Sequence, residues 1–182
     1  MIANKALGRH TEGIRLSGKL PEEKWGYQIF NLVVNAYLAL EMPQEALATA
    51  DKLPRTEWDR QLLSTYLATL NTMERYDEII AMKTLLPEKG SFWSYSIMTK
   101  SLNLRKKYRE TVEVLARFPR EHWDVRLYAT YTSALNGLGK HKETVVLLRP
   151  FVGKEGDVYI TANYVTALIG MGHFTEAWEF LN

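Results

Sequence analysis

The chain has 182 residues, 46% of them apolar and 24% charged, with 23 basic against 21 acidic side chains and a formal charge of +2. That is the make-up of a folded protein long enough to bury a substantial core, with no global charge demand for nucleic acid or an anionic membrane. Cysteine is absent, which excludes disulfides, thiolate chemistry and cysteine-based zinc sites and fits a reducing compartment.

No stretch approaches the roughly 20 apolar residues of a transmembrane helix. The opening Met1-Ile2-Ala3-Asn4-Lys5-Ala6-Leu7 lacks the long apolar region of a signal peptide.

Superimposing the chain on itself exposes a repeat, and one glutamate serves as its ruler. Glu12, Glu45, Glu78, Glu110, Glu143 and Glu176 are spaced by 33, 33, 32, 33 and 33 residues. Two positions earlier stands a ring or a proline: His10, Pro43, Tyr76, Tyr108, His141 and Phe174. Nine positions later a proline recurs at Pro21, Pro54, Pro87 and Pro119, then gives way to Val152.

In chain order, residues 1–25 form a partial unit that opens part-way through a first helix. Repeats follow at about 26–58, 59–90, 91–123 and 124–156, and a second partial unit occupies 157–182. Within the repeat from Asp59, Leu62, Leu63, Tyr66, Leu67 and Leu70 keep the i, i+3, i+4 spacing of one helical face. A turn at Asn71–Arg75 separates this helix from a second, carrying Tyr76, Ile79, Ile80 and Leu85 and closed by Pro87. Gly26, Asp59, Ser91, Asp124 and Asp157 stand at the first-helix N-cap, where a side-chain oxygen (or glycine's freedom) serves unpaired N–H groups. Trp25, Trp58 and Trp123 precede three of these caps and are placed to staple onto Phe30, Leu63 and Tyr128. Asn136-Gly137 falls in an inter-helix turn. The ruler glutamates open each second helix, where negative charge is favoured.

A helix pair this short must bury its apolar face against its neighbours. The pattern therefore predicts an all-α fold, an α–α superhelix (solenoid) of helix–turn–helix repeats with a period of 32–33 residues. Residues 1–182 are expected to be one segment of it. Neither end carries a polar capping repeat, so a longer array, or cover by another subunit, is expected.

The unit Phe30-Asn31-Leu32-Val33-Val34-Asn35-Ala36-Tyr37…Gln44-Glu45-Ala46-Leu47 resembles the pentatricopeptide pattern. Met171-Gly172-His173-Phe174-Thr175-Glu176-Ala177 is similar to the turn of tetratricopeptide repeats. The resemblance covers essentially the whole chain. It implies a non-enzymatic binding scaffold without cofactor, either an RNA-contacting or structural component of an organellar (mitochondrial) ribonucleoprotein, or a scaffold gripping a peptide or protein subunit. Single-stranded RNA is the preferred partner; no membrane or small-molecule substrate is expected. Outside an organelle, the cytoplasm is expected. The first-helix slot that reads bases in the pentatricopeptide family holds Leu32, Thr65, Ile97, Thr130 and Asn163. The closing slot holds Arg60, Phe92, Val125 and Val158, none of them Asp or Asn.

The groove-facing candidates are Asn35, Thr65, Thr69, Lys100, Thr130, Ser133, Asn163 and Thr166. Lys100, Arg105, Lys106, Lys107 and Arg109 form the densest basic run, a phosphate-contacting patch. Asn71, Asn103 and Asn136 recur at the first-helix end, a capping position. His10, His122, His141 and His173 have no metal-ligand spacing, and no catalytic motif is present.

Overall fold

A computed structural model describes residues 2–86, 91–152 and 158–180. The closing Pro87 and the cap Asp157 lie outside the described residues. The chain forms two compact units, residues 1–73 and 74–182. Among the described residues the regular structure is entirely helical.

In the first unit α1 (Ile2–Ser17), α2 (Tyr27–Ala39), α3 (Pro43–Ala50) and α4 (Arg60–Thr72) pack each on the next. The second contains α5 (Tyr76–Ala81), α6 (Phe92–Leu104), α7 (Tyr108–Ala116), α8 (Val125–Gly137), α9 (His141–Leu148), α10 (Val158–Gly170) and α11 (Phe174–Glu179). Here too each helix packs on its successor, and α6, α8 and α10 additionally pack side by side.

The sequence marks these boundaries closely. The helices α2, α4, α6, α8 and α10 all have 13 residues and begin one position after the expected caps. Asp59 accepts the Leu62 N–H at 2.7 Å, and Asp124 accepts those of Arg126 and Leu127 at 2.9 and 3.1 Å. Ser91 and Gly26 occupy the cap without a side-chain bond. From α3 onward every second helix starts at the ring or proline slot, so each ruler glutamate lies in a first helical turn.

One turn joins the helices of each hairpin. Glu41, Glu74, Lys106, Gly139 and Gly172 have φ of 59, 56, 55, 73 and 81°. In four of these turns the next residue's N–H reaches back five positions: Met42 to Tyr37, Lys107 to Leu102, Lys140 to Leu135 and His173 to Leu168, all at 2.8–2.9 Å. This is the Schellman closure, which satisfies the orphan carbonyls of the helix end. Asn136-Gly137, expected within the turn, instead completes α8. At Gly137 and Gly170 the backbone meets the preceding repeat's ring so closely that an added Cβ would lie 2.3 Å from Tyr108 and 2.5 Å from His141.

The prolines do something other than stop the second helix. Pro21, Pro54 and Pro119 each open a single 3-10 turn (Glu22–Lys24, Arg55–Glu57, Arg120–His122), several residues beyond the preceding helix. The tryptophan that follows donates its indole N–H to a carbonyl five residues back, at 3.0–3.2 Å: Trp25 to Leu20, Trp58 to Leu53, Trp123 to Phe118. Trp25 and Trp123 close on Phe30 and Tyr128 as expected, with centroids 5.2 and 5.4 Å apart. Trp58 packs on Tyr66 at 4.8 Å, a turn further along α4 than Leu63.

The first partial unit departs from the repeat. Where a turn was expected before His10, α1 runs unbroken from Ile2 to Ser17. Ala6-Leu7-Gly8-Arg9 contains no proline, and an uninterrupted helix satisfies every backbone group there without a special φ.

The non-glycine turn residues carry a left-handed backbone penalty of about 1–2 kcal/mol, partly offset in a glycine variant by its larger chain entropy. Glu41→Gly is therefore expected to stabilise the protein by about 0.5–1 kcal/mol, and Gly139→Ala to destabilise it by about 1 kcal/mol. Urea unfolding midpoints moving the other way would remove this account of the turn.

Candidate nucleic-acid interface

Because α6, α8 and α10 lie side by side, the central and C-terminal residues of α6 and the N-terminal and central residues of α8 and α10 line a shared cleft of about 490 Å³. Four of the expected groove residues meet there: Lys100, Thr130, Ser133 and Asn163. Thr166, also on α10, is exposed, with its hydroxyl donated to Ala162 O at 2.7 Å. In the first unit Asn35 is exposed on α2 and Thr65 half-buried on α4.

Thr69 does not face a groove. It is 5% exposed and donates its hydroxyl to Thr65 O at 2.8 Å. The register put it on the polar face, but a threonine that bonds its own helix hides its oxygen and offers its methyl group to the core.

Asn163 has a second task. Its amide donates to Ala129 O at 2.7 Å and to Thr132 Oγ1 at 3.1 Å, tying α10 to α8. Two of the helix-end asparagines expected as caps, Asn103 and Asn136, are ties as well. Asn103 donates to Thr130 O and accepts from Thr111 Oγ1, at 2.8 and 2.7 Å. Asn136 donates to Asn163 O at 2.8 Å, and its Oδ1 lies 3.3 Å from His141 Nδ1. Each thus joins its own hairpin to the next first helix.

The basic run divides. Lys100 lines the cleft, whereas Arg105, Lys106, Lys107 and Arg109 lie at the turn between α6 and α7 and the start of α7. Arg105 forks onto Asp77 at 3.0 and 2.8 Å. Lys107 lies 3.7 Å from Glu110, which also accepts from Lys83 at 2.6 Å. The hydrogen bond from Lys83 holds the Glu110 carboxyl below its ordinary value, against a smaller opposing push from burial.

A slot seventeen positions before the ruler, outside the expected groove set although Arg126 belongs to the basic stretch of residues 99–126, is occupied by Gln28, Gln61, Trp93, Arg126 and Tyr159. In the second unit it presents Trp93, 58% exposed, then Arg126, then Tyr159, 74% exposed, on α6, α8 and α10. The Arg126 guanidinium lies 4.9 Å from the Trp93 ring centre and 5.0 Å from that of Phe92, and it donates to Asp124 at 2.7 Å. Aligning the repeats on this slot gives the signal: glutamine twice, then three stacking residues.

The histidines stand on separate elements, and among the described residues no cluster of three or more His, Asp or Glu is arranged to hold a metal. No described helix is long and apolar enough to cross a membrane. Neither a protein-family model nor a curated protein matches the sequence.

Two measurements check these assignments. Asn163→Ala leaves backbone and hydroxyl partners unpaired and is expected to cost about 1–3 kcal/mol in urea unfolding, against less than about 0.5 kcal/mol for Thr166→Ala. For Glu110, a folded pKa lowered from 4.5 means that its contribution is complete above the unfolded value and is lost as pH falls through the folded one. After discounting for solvent screening that contribution is below about 1 kcal/mol. Lys83→Met should flatten this part of the acid limb; an unchanged acid limb would remove the bridge from the account.

Proposed function

We propose that the chain is a non-enzymatic segment of an α–α superhelix of the pentatricopeptide and tetratricopeptide type, holding single-stranded RNA along the face made by α6, α8 and α10. The repeated 13-residue helices, the recurrent turn and the sequential packing support that architecture. The resemblance supplies the setting, an organellar ribonucleoprotein.

The observation that carries the RNA reading is the lining of the cleft between α6, α8 and α10. Lys100 and Arg126 are its charged residues, and no carboxylate lines it. Low overall charge hides this local field. The hydroxyl groups of Ser96 and Ser133 stand among the cations, suited to phosphate and sugar oxygens, while the Thr130 hydroxyl is donated to Arg126 O at 2.8 Å. The exposed ring of Tyr159 and the Arg126–Trp93 stack offer planes for unpaired bases, the usual way single strands are held. Asn163 is committed to the helix ties, so base contact falls chiefly to Arg126 and Tyr159.

Titration with a labelled single-stranded oligoribonucleotide tests the reading. Neutralising about two phosphates predicts roughly a sevenfold loss of affinity between about 50 and 200 mM salt. Lys100→Glu and Arg126→Glu are each expected to weaken binding by about tenfold or more, and Tyr159→Ala by about 1–3 kcal/mol. Salt-insensitive binding, or none, would transfer the chain to the protein-scaffold class.

A further inference from the structure

A second concavity of about 850 Å³ lies across α8 from the cleft. Its floor is Tyr128, Tyr131 and Leu135, which at roughly 100° per residue occupy the opposite side of the helix from Arg126, Thr130 and Ser133. Val146 and Leu147 of α9 and the following Phe151 form the wall, and Val146 is 69% exposed. Arg120, Lys140 and Lys142 stand around it with a single carboxylate, Glu143, which is held by Lys140 at 3.0 Å.

The corresponding seam one repeat earlier is shut. There Tyr95, Met98, Val114 and Phe118 replace Tyr128, Tyr131, Leu147 and Phe151, and all four are buried. Tyr95 and Phe118 stack at 4.6 Å. Three polar ties cross this hairpin's other seam, with α5 and the residues that follow it: Lys83 to Glu110, Arg105 to Asp77, and Arg117 to Leu86 O at 2.8 Å. At the matching positions of the next seam, Leu115 replaces Lys83, Leu138 replaces Arg105, Arg109 replaces Asp77 and Pro150 replaces Arg117. None of the three ties can form. The hairpin that carries the open groove thus lacks the fastenings that tie its neighbour to the preceding helix.

The groove's chemistry selects its occupant. Aliphatic and aromatic carbon forms the floor and wall, which suits apolar side chains; a nucleobase would leave its polar edges unpaired there. The Tyr131 ring is already engaged, 5.1 Å from Trp123 and 5.6 Å from the Arg120 guanidinium. The surplus of positive charge at the rim complements Asp and Glu. We propose that the groove formed by α8, α9 and Phe151 docks an acidic protein segment through its apolar side chains. This site is independent of the RNA cleft.

The test selects a displayed library of random short peptides on the full chain, then titrates a synthetic copy of the winning sequence. The expected consensus combines Leu, Phe or Trp with Asp or Glu. Lys142→Glu and Val146→Trp should each weaken the peptide by roughly tenfold, while Lys100→Glu in the other cleft leaves it unchanged. Both groove positions are exposed, and circular dichroism confirms that the variants fold. No enrichment, a basic or uncharged consensus, or undiminished binding by both groove variants overturns the proposal. So does loss of oligoribonucleotide affinity on Lys142→Glu, which would assign the groove to RNA.

Discussion

Leu102 accepts the N–H of Lys107 on its carbonyl while its side chain is wholly buried, and Leu135 and Leu168 do the same with Lys140 and His173. One residue thereby fixes both the direction of the chain after the turn and the layer into which the hairpin packs. Helices of 13 residues or fewer are marginal alone in water. Their stability must come from burial against neighbours, and burial works only if every hairpin leaves its turn at the same angle. The cleft depends on this constraint, because side-by-side α6, α8 and α10 bring Lys100, Arg126 and Tyr159 into one place.

The fold was legible in the sequence wherever local chemistry decides it. Asp59 and Asp124 have the carboxylate that a helix start needs, and the ring or proline slot opens the second helices. The apolar stripe Leu62–Leu70 is buried as its spacing requires. These signals are short-range, and tertiary context did not overrule them. At residues 2–17 there was no such local signal for a turn, and the helix ran on.

Less of the candidate site was legible, because polar residues on a helix have several uses that spacing does not separate. Asn103, Asn136 and Asn163 spend their amides on neighbouring backbones. Thr69 folds its hydroxyl onto its own helix. Arg105 is drawn to Asp77, twenty-eight positions away, so a basic run in the sequence becomes a set of ion pairs in space. Trp93, Arg126 and Tyr159 share a slot but not a chemical type, and similarity-based alignment does not group an indole, a guanidinium and a phenol.

From each first-helix cap to its ruler glutamate the count is constant: Gly26 to Glu45, Asp59 to Glu78, Ser91 to Glu110 and Asp124 to Glu143 are all 19 residues apart. The single missing residue that shortens one period to 32 lies between Glu78 and Ser91, outside the cap-to-turn portion of the hairpin. Length is conserved where the turn geometry is shared and yields where one hairpin passes to the next. Each hairpin is in this sense a cassette, and the connectors after the second helices are where splicing, duplication or grafting of cassettes meets the least structural resistance.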